Sequence, residues 1–280
     1  VRLFLAFILA FSCGTAAAAF SGQIVDAAFV AKALARGAIV WDVRSKESYF
    51  DGHIPGAVNI GHVAQVLVDE KGNRFLPIEV IAARLGGAGI DLKREIVVYG
   101  DAGGTYPYFA EFALDYFGAQ KVSVFHDGFE GWKAARRPVS TAPVTRKPVK
   151  VRPFANPSML ATLGEVEARV GLPGVQFVDV RRPREFNGDE SETLHGGHIP
   201  GALNIPYEEM LGDMRLLKTA ALRKLYAGLD RRKETIVYCH IGLRAAMSAA
   251  VLTRLGFRSV RLYQGSWLEY GNDADAPFEN

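Results

Sequence analysis

The sequence predicts an α/β protein built twice: two tandem domains, each a parallel β-sheet flanked by helices. Three observations predict it. A set of short motifs recurs in the same order in both halves, β-branched runs alternate with helical patterns, and a proline-rich segment lies between the copies. The chain of 280 residues has room for two domains of ordinary size. Its 49% hydrophobic and 22% charged residues suit a globular protein with a real core.

The repeat is the strongest signal. Val40-Trp41-Asp42-Val43-Arg44 recurs as Phe177-Val178-Asp179-Val180-Arg181. Gly52-His53-Ile54-Pro55-Gly56-Ala57 recurs as Gly197-His198-Ile199-Pro200-Gly201-Ala202, and Ile96-Val97-Val98-Tyr99 as Thr235-Ile236-Val237-Tyr238. The second copy carries a polar, acidic insertion at 187–195, which reads as a surface loop. Its Asp189-Glu190-Ser191-Glu192 run is a candidate docking loop, with a plain solvated loop the simpler reading.

The elements follow from the pattern. Runs at 96–99, 122–125, 235–238 and 260–263 read as buried parallel strands. Asp26 is placed to cap a helix that ends before Gly37. Leu222, Leu225, Tyr226 and Leu229 share one helical face, and 244–255 reads as a helix with Gly256 just past its end. Strands alternating with helices imply a parallel sheet covered on both faces. Ligands in such sheets sit beyond the carboxyl ends of the strands. Five prolines between 138 and 157 fix φ and remove donors, so this stretch reads as an extended linker.

The N-terminus has a different character. Arg2, an apolar run at 3–11 and then Ala16-Ala17-Ala18-Ala19 have the layout of a secretory signal, with cleavage expected after Ala19. The run is too short for a membrane span of about 20 residues. The expected organisation is therefore a leader at 1–19, a first domain at 20–138, a linker at 139–157 and a second domain at 158–280, in an exported protein of the periplasm or the extracellular space. Lipidation of Cys13 is the competing reading, but Ala10-Phe11-Ser12 suits it poorly. Without the leader, Cys239 is the one remaining cysteine, a reactive thiol rather than half of a disulfide. A net charge of +3 does not call for nucleic acid.

Cys239 directly follows a predicted strand, in Cys239-His240-Ile241-Gly242-Leu243-Arg244, ahead of a predicted helix. Gly242 permits backbone angles closed to other residues. A tight loop feeding a helix turns successive N–H groups inward as an anion cradle. A cysteine at its base is favoured as the thiolate, the nucleophilic form. Arg244, and with it His240, would add positive potential. The alternative is an inert buried cysteine, which the strand-cysteine-loop-helix context disfavours.

Taken together, the Asp-Val-Arg strand end, the Gly-His-Ile-Pro-Gly-Ala turn and the Cys-x-x-Gly-x-Arg loop resemble the rhodanese (thiosulfate sulfurtransferase) family over nearly all of the chain beyond the leader. The resemblance implies a ping-pong sulfurtransferase whose cysteine becomes a persulfide. It implies Cys239 as nucleophile, with His240, Ile241, Gly242, Leu243 and Arg244 holding the persulfide and donor. It implies that Asp179 and Arg181 brace the site, a structural ion pair being the alternative. The first copy has Gly100 where the second has Cys239, so that domain is expected to be inactive and to shape the cleft. Trp132 and Trp267 read as core or interface aromatics.

Thiosulfate is the implied donor, with cyanide, a small thiol or a protein thiol as acceptor. His240-Ile241 is closer to the thiosulfate type than to the mercaptopyruvate type, which carries a Gly-Ser pair. Glu185, ahead of Phe186, departs from the pattern of the resemblance, because many two-domain thiosulfate enzymes carry an arginine in that slot, and a carboxylate does not help to bind a dianion. The alternatives are a 3-mercaptopyruvate sulfurtransferase, and a sulfur carrier or binding module serving a partner protein. Phosphatases and arsenate reductases of related fold resemble Cys-x5-Arg, one residue longer than the loop here. His195, His198 and His240 are candidate metal ligands, but His53 occupies the turn of His198 in the first copy and a zinc site needs about four ligands. No flavin, nucleotide or metal signature is present, and no cofactor is expected.

Overall fold

The computed structural model describes residues 22–280. The expected leader, its cleavage point after Ala19 and Cys13 lie outside the described residues. In the first half, β1 (Ile39–Asp42), β2 (Val58–Asn59), β3 (Glu95–Tyr99) and β4 (Lys121–Phe125) form a parallel sheet in the order β2-β1-β3-β4. In the second half, β5 (Val175–Asp179) and β6 (Leu203–Asn204) are followed by a short antiparallel hairpin, β7 (Leu211–Gly212) and β8 (Arg215–Leu216). With β9 (Glu234–Tyr238) and β10 (Ser259–Leu262), the second parallel sheet has the order β6-β5-β9-β10, the same topology again. The strands predicted at 96–99, 122–125 and 235–238 each begin one residue earlier, and the one at 260–263 is shifted back by one as the chain turns at Tyr263.

The helices also follow local chemistry. Asp26 accepts a hydrogen bond from the Phe29 N–H at 2.8 Å and starts the helix Ala27–Ala35, with Gly37 at φ +84° beyond its end. The helix Leu243–Arg254 is followed by Gly256 at φ +92°, the left-handed turn expected there. The helix Thr219–Leu225 buries Leu222; Tyr226 and Leu229 are buried just past its end, and Leu225 is only partly covered. Residues 137–156 run extended, tied to the first domain by paired Ser140 and His53 backbones.

The recurring motifs prove to be one buried hydrogen-bonded unit made twice. Asp42 takes Arg44 Nη2 and the Tyr99 hydroxyl, each at 2.6 Å, and that hydroxyl accepts from the Ile54 N–H at 3.1 Å. Arg44 also donates to the Gly52 carbonyl at 2.8 Å. In the second half Asp179 takes Arg181 at 2.6 Å, Arg181 donates to Gly197 O at 2.7 Å, and Ile199 N–H donates to the Tyr238 hydroxyl at 3.1 Å. His53 stacks on Tyr49 at 3.7 Å and His198 on Phe186 at 3.6 Å, each with Nδ1 against the carbonyl of the residue it stacks on. These are turn histidines.

The helices Tyr106–Tyr116 and Leu243–Arg254, each leading out of its domain's loop, pack together and bury most of their length. One continuous apolar cluster therefore spans both domains. Two arms cross between them. Segment 68–75 of the first domain reaches the cysteine loop, where Arg74 pairs with Glu269 at 2.9 Å and a Cβ on Gly72 would lie 3.2 Å from Ile241. The β7–β8 turn lies on the first domain's loop, with Met214 O 2.8 Å from a Cβ on Gly103.

Candidate active site

Cys239 is fully buried at the carboxyl end of β9, beside the end of β5, where Asp179 is in register with Tyr238. The Gly242 N–H donates to Cys239 Sγ at 3.1 Å. Gly242 adopts φ +83° as the residue that opens the helix Leu243–Arg254, and a Cβ there would come within 2.8 Å of Gln264 O. Only glycine closes this loop tightly enough to aim that N–H at the sulfur.

A residue not anticipated from the sequence supports the cysteine from below. Ser266 Oγ accepts from the Cys239 N–H at 3.1 Å and donates to Tyr263 O at 2.7 Å. Ser266 sits at φ +51°, where the first copy has Gly128 at φ +57°. A side chain in the left-handed region costs about 1–2 kcal/mol; here it holds the cysteine backbone. The signal was present as a departure from the repeat, serine against glycine.

Arg244 donates from Nη1 and Nη2 to the two carboxylate oxygens of Glu185, each at 2.8 Å. Burial disfavours the Arg244 cation, but Glu185 and Cys239 together hold its pKa above the ordinary range. Burial likewise opposes the Glu185 carboxylate, and Arg244 overrides it, keeping Glu185 ionised below its usual range. The acidic residue that departs from the family pattern is thus the direct partner of the loop arginine. His240 does not add the expected positive potential: burial holds its pKa below the ordinary histidine value despite Glu192 at 3.7 Å.

A cavity of about 320 Å³ opens in front of the loop. Its charged wall combines Arg181, Arg182 and Arg244 with Glu185, Glu190 and Glu192. Glu190 and Glu192 belong to the insertion, so this exposed loop, which the sequence offers as a solvated surface loop or a docking loop, forms one wall of the cavity. The Trp267 side chain lines it too, under the Arg181 guanidinium at 4.7 Å, and the Trp267 backbone N–H donates to the Cys239 carbonyl at 3.0 Å. Trp132 of the first domain is buried away from it and donates to Pro138 O at 2.7 Å. Asp179 faces inward and spends both oxygens on Arg181. The same pair in the cysteine-free domain makes the same bonds, which is the geometry of a brace. Of the residues expected at the site, Arg181, His240 and Arg244 line this opening, while Cys239 is fully buried and, like Gly242, is not part of the lining; Ile241 turns toward Gly72 of the first domain, and Leu243 is buried.

Fold and site define a tandem-domain α/β protein with a cysteine loop at the carboxyl end of one sheet. The rhodanese-like domain model matches residues 26–135 and again 162–273. The chain belongs to the rhodanese family, as a sulfurtransferase with two such domains. It is 37% identical over 246 residues to a thiosulfate sulfurtransferase of Corynebacterium glutamicum, covering 82% of this chain and 81% of that one. A putative thiosulfate sulfurtransferase of Synechococcus elongatus is 30% identical, with 91% and 85% covered. Among solved structures, SseA of Escherichia coli, a 3-mercaptopyruvate sulfotransferase, superposes with a TM-score of 0.80 at 26% identity over 88% of this chain and 99% of its own. An anaerobic ergothioneine biosynthesis enzyme of Chlorobium limicola shares the fold, with a TM-score of 0.84 at 22% identity over 92% of this chain and 70% of its own.

Proposed function

We propose that this sulfurtransferase takes its sulfane sulfur from thiosulfate and carries it as a persulfide on Cys239. The observation that carries the reading is the Gly242 N–H directed at Cys239 Sγ at 3.1 Å, at the base of a helix-opening loop. Such a donor stabilises sulfur that carries negative charge, first the thiolate and then the persulfide. The Cys239 thiolate attacks the outer sulfur of thiosulfate. The sulfur–sulfur bond breaks, and sulfite leaves with the electron pair. Cyanide or a thiol then attacks the terminal sulfur, and Cys239 leaves as the thiolate. The name of the Corynebacterium relative supports thiosulfate as donor. The first domain, with Gly100 in place of a cysteine, shapes the cleft and does no sulfur chemistry.

A 3-mercaptopyruvate donor is the second reading, favoured by one feature: Glu185 neutralises the loop arginine, and a monoanion suffers less from that than a dianion. The test is the intact mass of the purified protein after thiosulfate, alongside Cys239→Ser. Gain of one sulfur on the unmodified protein only, released as thiocyanate by cyanide, is expected. No gain with thiosulfate but gain with mercaptopyruvate reverses the donor. Gain on Cys239→Ser refutes the site.

A further inference from the structure

We propose that a separate anion site lies at the amino end of the first sheet, in the cavity between the linker and the loop ahead of β3, and that it takes one small divalent oxyanion of the sulfate, phosphate or sulfite kind. The site is independent of Cys239, which lies in the other domain at the carboxyl end of its sheet. The cavity measures about 390 Å³ and is lined by Gly89, Asp91, Arg94, Arg146, Lys147 and Val149. Its form is set by backbone. The helix Ile78–Gly87 ends in glycines that let the linker lie directly against it. Val149 N–H donates to Gly86 O at 2.9 Å, and a Cβ on Gly86 would come within 2.5 Å of Val149 O. Gly89, buried at φ +69°, would meet Arg146 Cβ at 2.6 Å and Lys147 O at 2.8 Å if it carried a side chain. Arg146 and Lys147 therefore start from a fixed backbone. Arg94 joins them from the residue ahead of β3, and its Nη2 donates to Gly37 O of the same domain.

The charges of this cavity do not cancel. Three cations, Arg94, Arg146 and Lys147, face one carboxylate, Asp91. Asp91 accepts from the Lys93 N–H at 3.0 Å and forms an ion pair with none of the three. Glu95, next to Arg94, is already taken by Arg36 at 2.6 Å and Lys121 at 2.8 Å. The carbonyls that end the helix are spent on the N–H groups of Ala88, Gly89, Ile90 and Val149. Among the described residues, the side chains of Arg146 and Lys147 have no hydrogen bond or ion pair. Burial and the neighbouring Arg94 both push the Arg146 pKa below the ordinary arginine value, and no carboxylate offsets them. A partly buried cation calls for a partner. Arg44, Arg181, Arg244 and Arg254 each have a carboxylate; Arg146 has a like charge instead. Three cations less one carboxylate leave two positive charges, the complement of a divalent oxyanion. Guanidinium forks suit oxyanion geometry, and the lysine adds a point charge.

A bound oxyanion bridges Arg146 of the linker to Arg94 of the first domain and cancels their repulsion. It thereby fixes the segment that joins the two domains.

Titration calorimetry with sodium sulfate, phosphate and sulfite, at an ionic strength held constant with chloride, tests the site. A binding event is expected that Arg94→Gln and Arg146→Gln each weaken about tenfold, the worth of one charge-assisted hydrogen bond. Arg244→Gln, at the cysteine loop, should leave that event in place. Tightest binding of sulfite makes the product of thiosulfate cleavage the occupant; tightest binding of phosphate or sulfate makes it a free ion of the surroundings. Trypsin gives a second readout, because the bond between Arg146 and Lys147 lies in the site. Saturating sulfate should slow its cleavage about threefold or more in the unmodified protein, relative to chloride, and should not do so in Arg94→Gln. Absence of binding overturns the proposal. So does an affinity unchanged in both Arg94→Gln and Arg146→Gln, or a binding event lost in Arg244→Gln instead. Equal protection from trypsin in Arg94→Gln and the unmodified protein overturns it as well.

Discussion

Replacing Gly242 with alanine should slow persulfide loading without unfolding the protein. Gly242 sits at φ +83°, and an alanine pays about 1–2 kcal/mol to stay there. Its Cβ would also lie 2.8 Å from Gln264 O and 2.9 Å from Gln264 Cα, both backbone atoms that cannot swing aside. The loop must shift, and the bond from Gly242 N–H to Cys239 Sγ at 3.1 Å is lost or bent. Hydrogen bonds to charged groups contribute about 1.5–3 kcal/mol, so loading should slow about tenfold to a hundredfold. Quenched-flow mixing with thiosulfate, read by intact mass, measures that rate. Gly256→Ala is the control. It has φ +92° at the far end of the same helix but nothing within 4 Å of its Cβ, so it bears backbone strain without a clash. Loading at the normal rate in Gly242→Ala, or equal slowing in Gly256→Ala, would refute the argument that this one N–H serves the sulfur.

Glu185→Gln removes the carboxylate that neutralises Arg244 while keeping a hydrogen-bonding side chain. The KM for thiosulfate should fall about threefold to tenfold, more than any change in KM for a neutral donor, in steady-state assays at low salt. A second prediction concerns stability. Glu111 is fully buried between the domains against Arg254, and its Oε2 has no hydrogen-bond partner. Burial outweighs Arg254 and pushes its pKa from 4.5 up to about 7. Folded protein therefore binds more protons than unfolded protein between these values, and stability drops as pH rises through that window. Urea unfolding from pH 5 to pH 8 should show a flatter decline for Glu111→Gln than for the unmodified protein, and equal slopes would contradict the raised pKa.

Much of this arrangement was legible in the chain alone, for reasons that are local. Strand runs such as 235–238 announce themselves because a doubly covered strand must be apolar throughout. Asp26 and Gly256 mark helix ends because they serve backbone groups a few residues away. The repeat showed where matching pieces lie, and the position of Cys239 after a strand followed from topology. Yet the repeated residues turned out to be scaffold: Asp42 with Arg44, and Asp179 with Arg181, make the same bonds whether or not a cysteine is near. The features particular to the site are departures from the repeat, such as Ser266 against Gly128 and the insertion at 187–195.

What only the tertiary structure decided are the contacts between residues distant in sequence. Glu185 read alone was an unwelcome charge; across 59 residues it is the partner that fixes Arg244. Ser266 reaches Cys239 across 27 residues. Arg74 and Gly72 cross from the other domain, and the insertion folds back to form a wall of the cavity. Local pattern carries no information about such pairs, because hydrophobic period and capping depend on neighbours in the chain, whereas ion pairs and cavity walls depend on which surfaces the packed sheets bring face to face.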